Sequence, residues 1–185
     1  MLSDQNDEEI IKLYKKGDKR AFKFLIDRYT SPLFNFVAHL AGRENAPDLV
    51  QETFIKAWKH INRFNAKKAS FKTWLFIIAK NTTTDFLRKK KLLNFSDLEN
   101  DENDFSFSET IPDEHPLPDI VWQKLEDEAF LNKLLEKLPI NYKTVLTLHY
   151  QEEMTFSEIG KILEKPENTV KSYHQRAILL LRKML

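Results

Sequence analysis

The 185-residue chain carries 29 Lys or Arg, 28 Asp or Glu, 42% hydrophobic residues, three glycines and no cysteine. This suffices for one ordinary core or two small ones, and it excludes disulfides, thiolate metal sites and a cysteine nucleophile. The acidic start MLSDQNDEEII lacks the basic, then apolar pattern of a signal peptide, and the stretches Trp74 to Ala79 and Ala177 to Leu181 fall short of the roughly 20 residues of a membrane helix. A cytoplasmic chain without membrane insertion is expected.

The near-zero net charge conceals a division along the chain. Residues 1–91 carry 19 bases against 10 acids, residues 92–118 carry eight acids and no base, and residues 119–185 balance at 10 and 10. A basic block, an acidic strip and a neutral block predict two modules with different duties, joined by a segment whose charge resembles nucleic acid. Apolar residues recur at three and four positions almost everywhere outside 92–118, so the chain is expected to be all-α.

A short helix is predicted at about 7–15, closed by Gly17, with Asp18 as N-cap of a longer one carrying Phe22, Leu25, Ile26, Tyr29, Leu33, Phe36, Val37 and Leu40. Pro32 is expected to kink it. Pro47 opens a third helix, with Leu49, Val50, Phe54, Ala57, Trp58 and Ile61 on one side and Gln51, Glu52, Lys56 and Lys59 on the other. By residue type this helix has no chemistry, and its exposed polar face suits solvent or a partner equally. Ser70 caps a fourth helix that runs to about 91.

Residues 63–91 hold nine Lys or Arg and one acid, Asp85, interleaved with Phe64, Phe71, Trp74, Phe76 and Phe86. Cations with aromatics suit single-stranded DNA, because phosphates need charge and unstacked bases need flat surfaces. Phe64 and Phe71 flank a loop, Asn65 to Ser70, wide enough in sequence to hold an extruded base. The competing reading makes the aromatics plain helix core; it is preferred for Phe76 and Phe86 and evenly balanced for Trp74.

Residues 92–118, with three prolines beside their eight acids, have too little apolar surface to offset ordering entropy and are expected to be a flexible linker. The second module then begins with an amphipathic helix containing Trp122, Leu125, Phe130, Leu134 and Leu138, followed by one that Pro139 opens and that ends near Gln151. Thr155 with Glu158 makes a capping box for a short helix, and a turn at Leu163 to Pro166 leads into a last helix through Met184. This is the pattern of a helix-turn-helix, whose second helix would offer Asn168, Lys171, Ser172, Gln175 and Arg176 to bases or phosphates, with Val170, Ile178, Leu179 and Leu181 in the core. The bland alternative for Lys171 and Arg176 is a solvated helix face. The five histidines show no metal spacing, and no phosphate loop or Ser-His-Asp set occurs, so no enzyme, cofactor, metal or small-molecule substrate is expected.

DLVQETFIKAW followed by FKTWLFIIAKNTTTDFLRKK resembles the second conserved region of extracytoplasmic-function (ECF) sigma factors of bacterial RNA polymerase, in the sigma-70 family. LPINYKTVLTLHYQEEMTFSEIGKILEKPENTVKSYHQRAILLLRK resembles their fourth region. The resemblance implies two small helical domains, a region 2 bundle over 1–91 and a region 4 helix-turn-helix domain over 119–185, joined by the acidic linker 92–118. It implies that Asp48, Leu49, Gln51, Glu52, Phe54 and Ile55 dock on the β′ clamp helices of core polymerase. Phe64, Asn65, Lys68, Phe71, Trp74 and Asn81 fall where the family opens and reads the minus-ten element, and Arg88 and Lys89 where it holds the adjacent backbone. Lys143, Thr155, Lys171, Ser172, Tyr173 and Arg176 fall where it contacts the minus-thirty-five duplex, alongside Asn168 and Gln175. Core polymerase, including the β flap, promoter DNA and an anti-sigma factor are the implied partners. The family's recognition helix often opens VGTVKSR; here Tyr173 replaces an Arg and Glu167 adds a negative charge, changes that weaken phosphate contact. The alternative is a stand-alone helix-turn-helix regulator of duplex DNA, which would leave the Asp48 to Trp58 helix without a task.

Overall fold

The computed structural model describes residues 5–93, 135 and 137–184, and every regular element among them is helical. The first module holds α1 (Asp7–Lys15), α2 (Ala21–Ala41), α3 (Ala46–His60) and α4 (Phe71–Leu93). The second holds α5 (Ile140–Leu146), α6 (Phe156–Leu163) and α7 (Glu167–Met184).

Local chemistry sets the helix ends. At α1 the Glu9 amide donates to Asn6 Oδ1 at 2.9 Å and the Asn6 amide to the Glu9 carboxylate at 3.3 Å, so both orphan donors are satisfied reciprocally. The helix stops at Gly17, whose φ of +108° costs an L side chain strain that glycine escapes. Asp18 is not the N-cap of α2: its carboxylate accepts from the Arg20 amide at 3.0 Å, tightening a turn, and the helix starts later, at Ala21. α2 runs unbroken through Pro32, which has no N–H to offer the Arg28 carbonyl. Ser70 caps α4 as expected, its hydroxyl accepting from the Thr73 amide at 3.1 Å, and α4 continues to Leu93, into the segment expected to be linker.

α1 to α4 close around Leu25, Leu33, Phe36, Leu75 and Phe76, all fully buried, with Phe36 and Phe76 rings 5.2 Å apart. Burial of each such side chain contributes about 1.5–3 kcal/mol, so this packing dominates any helix propensity. α1 is tied on by Asp7, which accepts from both Arg28 and the Tyr29 hydroxyl. Burial, then the Asp7 hydrogen bond and charge, push the Tyr29 phenol well above its ordinary value, so it remains a donor.

In the second module α5 widens into a π-helical segment, Thr147–Gln151. The predicted capping box of α6 is present: the Glu158 amide donates to Thr155 Oγ1 at 3.3 Å, and the Thr155 amide to the Glu158 carboxylate at 3.0 Å. Glu164 then turns left-handed at φ 55°, the Lys165 amide donates to the Gly160 carbonyl at 3.0 Å, and α7 begins at Glu167. α7 packs on α5 around Leu138, Leu146, Ala177, Ile178 and Leu181.

Beside the second module's own cluster, the two modules share a larger core. Val145, Leu148, Met154, Ile159, Ile162 and Val170 belong to the same buried cluster as the first module's Leu25, Phe36 and Leu75, with α6 packed on α4 and α5 against α2. Two further expectations change with this packing. Trp58 is 51% exposed and Leu179 41%, each at the edge of its helix's apolar stripe where no helix among the described residues covers it. The expected linker from residue 94 on and the Trp122 to Leu134 part of the next expected helix lie outside the described residues.

Candidate polymerase and nucleic-acid interfaces

α3 divides its residues sharply. Leu49, Val50, Phe54 and Ala57 are buried, whereas Asp48, Gln51, Glu52 and Ile55 stand exposed. Of the six expected polymerase contacts, Leu49 and Phe54 therefore hold the helix in place, and the other four form its outer ridge. Beside that ridge lies an open apolar groove of about 640 Å³ between α2 and α3, lined by Phe22, Ile26, Phe34, Val50, Phe54 and Trp58 among others. Such a groove with an uncovered Ile55 and Trp58 at its rim is the shape that takes an apolar helix face. Glu52 is bridged to Lys56 at 2.8 Å, and Lys56 also donates to Thr82 of α4, which fixes the ridge relative to α4.

The loop before α4 is ordered by Asn65, whose side chain accepts from the Lys67 amide at 3.0 Å. Lys67 and Lys68 are exposed on it. Beneath the loop three rings meet: Phe64 and Phe71 edge to face at 5.7 Å, with Trp74 at 5.4 Å from Phe64 and 5.7 Å from Phe71. Phe64 and Phe71 are only 8% and 2% exposed, and Tyr29 covers Phe71 from another side. Phe64 and Phe71, which flank the loop in sequence, therefore form its floor. Trp74 is half-buried, Asn81, Arg88 and Lys89 are exposed along α4, and Arg88 is paired with Asp85 at 3.2 Å.

On the second module Asn168 and Lys171 are exposed at the start of α7, with Lys171 bridged to Glu167 at 2.9 Å. Ser172 is half-buried, its hydroxyl donating one turn back to the Asn168 carbonyl at 3.0 Å. Tyr173 packs against Tyr142 with ring centroids 5.5 Å apart, and Gln175 and Arg176 are half-buried. Thr155 is exposed, but its hydroxyl serves the cap of α6. Lys143 is turned toward the first module, its ammonium donating to the His39 carbonyl at 2.7 Å.

The sequence pattern does not single out Gly160, Lys72 or Glu152. Gly160 allows the helix-turn-helix to close, since a Cβ there would stand 2.8 Å from the Lys165 carbonyl oxygen. A glycine inside a predicted helix, just before a turn, is the signal that could have marked it. Lys72 and Glu152 lie 80 positions apart, with a 3.0 Å ion pair joining them across the two modules, and nothing local foretells such a pair.

Residues 25–92 match the family model described as sigma-70 region 2, and residues 131–181 match sigma-70, region 4. Over 178 residues the chain is 36% identical to the ECF RNA polymerase sigma factor SigW of Bacillus subtilis, covering 95% of this chain and 94% of that one. The chain belongs to the extracytoplasmic-function sigma factors. The ECF sigma-E factor of Haemophilus influenzae is 31% identical over 180 residues, covering 96% and 94%. Two solved structures share the fold. CnrH, in complex with the cytosolic domain of CnrY, has a TM-score of 0.68 at 22% identity and 96% coverage of both chains. RpoE of Bartonella quintana, in complex with the anti-sigma factor NepR, has a TM-score of 0.66 at 24% identity, covering 88% of this chain and 94% of that one. This sigma factor is thus a promoter-directing subunit of RNA polymerase with regions 2 and 4 in order. No described helix is long and apolar enough to cross a membrane.

Proposed function

We propose that this sigma factor divides its work between its modules, residues 1–91 engaging core polymerase and the minus-ten element and residues 119–185 the minus-thirty-five element. The exposed ridge of α3, Asp48, Gln51, Glu52 and Ile55, docks on the β′ clamp helices, supported from beneath by Leu49 and Phe54. Ile55 and Trp58, at the mouth of the apolar groove, supply the desolvated centre such an interface needs. This ridge and groove carry the reading, because a regulator acting on duplex DNA alone has no use for them.

The loop and outer face of α4, with Asn65, Lys68, Trp74, Asn81, Arg88 and Lys89, hold the melted minus-ten strand, and Phe64 and Phe71 support the loop from below. Asn168, Lys171, Gln175 and Arg176 of α7 meet the minus-thirty-five duplex, with Lys143, Thr155, Ser172 and Tyr173 beside them. The β flap engages the second module, and an anti-sigma factor holds the free protein, as NepR is seen in complex with RpoE of Bartonella quintana. The protein acts in the cytoplasm and performs no catalytic step of its own.

Multi-round transcription with sigma-free core polymerase and a library of randomised promoters tests this. Transcripts sharing two spaced DNA elements are expected, and Ile55→Asp should abolish them while duplex binding by the second module persists. Duplex binding without any transcript would move the assignment to a stand-alone regulator.

A further inference from the structure

Glu167 has no part in the contacts assigned above, yet it is the first residue of the recognition helix α7 and its only acid. Its side chain is 46% exposed and meets the Lys171 ammonium, 49% exposed, at 2.9 Å across one helical turn. Asn168 stands exposed beside the pair. The tip that carries them is firmly held. The Thr169 and Val170 amides donate to the Pro166 carbonyl at 3.0 and 3.2 Å, and Val170 is fully buried. The Glu167 amide nitrogen lies 3.8 Å from where a Cβ on Gly160 would stand, so α6 sets the place of the pair. A carboxylate at the tip of a helix that enters a major groove is repelled by phosphates and by the base acceptors O6, N7 and O4. Only the exocyclic amines of cytosine and adenine attract it. Both partners keep capacity beyond their ion pair, the carboxylate in free lone pairs and the ammonium in two further N–H donors.

We propose that Glu167 is a specificity-determining residue, which together with Lys171 reads one C·G base pair of the minus-thirty-five element. In a Watson–Crick pair the cytosine N4 donor and the guanine O6 acceptor lie one hydrogen bond apart, about 2.9 Å. The two charges of the protein have the same spacing. The carboxylate accepts from N4, and the ammonium donates to O6 and the adjoining N7. An A·T pair also offers an amine beside a carbonyl oxygen. There, however, the thymine methyl stands where guanine presents N7, and the adenine N7 lies beside the carboxylate, so the fit is poorer. Reversing the C·G pair sets O6 against the carboxylate and the amine against the ammonium, two repulsions at once. The pair thus discriminates by orientation as well as by base.

This proposal rests on the assignment of α7 to the minus-thirty-five duplex, and its test separates the two. The full chain is joined to sigma-free core polymerase on the randomised promoter library, and the templates that yield transcripts are sequenced. Wild type should restrict one minus-thirty-five base pair to C·G, preferred over the reversed pair by roughly 10-fold or more. Glu167→Gln keeps the size of the side chain but presents either an acceptor or a donor. It should cut that preference below about 3-fold, with the other positions unchanged. Lys171→Met should relax the same base pair, and the double variant should relax it no further. An even gain over all sequences would reduce Glu167 to a repulsive charge, and an unchanged preference would reduce it to a stabiliser of the helix end. Either result overturns the proposal, as does relaxation at two different positions or a wild-type element without the C·G restriction. In all these cases the assignment of α7 stands if Arg176→Ala lowers transcription from promoters that carry the element. No minus-thirty-five selection by wild type, with Arg176→Ala indistinguishable from it, would overturn that assignment, and the reading of the base pair with it.

Discussion

His174 lies inside the recognition helix with its ring pressed into an aromatic group. Its Nε2 is 2.9 Å from the Tyr150 hydroxyl, and the rings of His149 and Phe156 stand 5.3 and 5.2 Å away. Burial, and next the charge of His149, lower it from an ordinary value near 6.5 to about 4. As pH falls the unfolded chain takes the proton first. The stability this group contributes is therefore whole above about pH 6.5, declines as pH drops, and is gone below about 4. At pH 5 the full shift corresponds to a loss of roughly 2 kcal/mol against pH 7. The ring is only half-buried, so screening reduces this to about 1 kcal/mol. His174→Gln removes the titration while leaving His39, His60, His115 and His149 in place. Urea unfolding at pH 7, 6 and 5 should show the wild type losing about 1 kcal/mol more than the variant. Parallel pH profiles would refute the reasoning.

Gly160→Ala sets a Cβ 2.8 Å from the Lys165 carbonyl oxygen, a clash with backbone that rotamer changes cannot relieve. It should cost about 1–3 kcal/mol, partly offset by the better helix propensity of Ala, and lower the urea midpoint. Arg176→Ala should weaken binding to a minus-thirty-five duplex by about 1–3 kcal/mol and relax selectivity if its guanidinium reads a base. A loss equal over all sequences in an anisotropy titration would reassign it to a phosphate.

The helices and their ends were legible in the sequence where the determining interaction is local. The capping box of Thr155 and Glu158, the Ser70 cap and the Gly17 stop all act within three or four residues, and all are present. Periodicity also located the buried stripes of α2 and α3. It does not tell which surface covers each stripe: Trp58 shares the apolar side of α3 and Leu179 is expected in the core, yet both stand exposed among the described residues. For Phe64 and Phe71 the residue types suited two environments, and only the packing of Tyr29 and Trp74 around them decides for the core. The division of charge suggested two modules, whereas the shared core depends on shape between residues far apart in sequence, such as Leu75 and Ile159.

The ion pair between α4 and the second module has a consequence in time as well as in space. Helices α1 to α4 contact one another over short sequence separations, so they can assemble as soon as they leave the ribosome. Glu152 is synthesised 80 residues after Lys72, which at translation speeds of about 5–20 residues per second is a delay of roughly 4–16 s. Throughout that interval the nascent first module presents its basic face uncovered. Capture by nucleic acid or polymerase during synthesis thus competes with the chain's own completion, and a slow codon run between these positions would lengthen the window without changing a single residue.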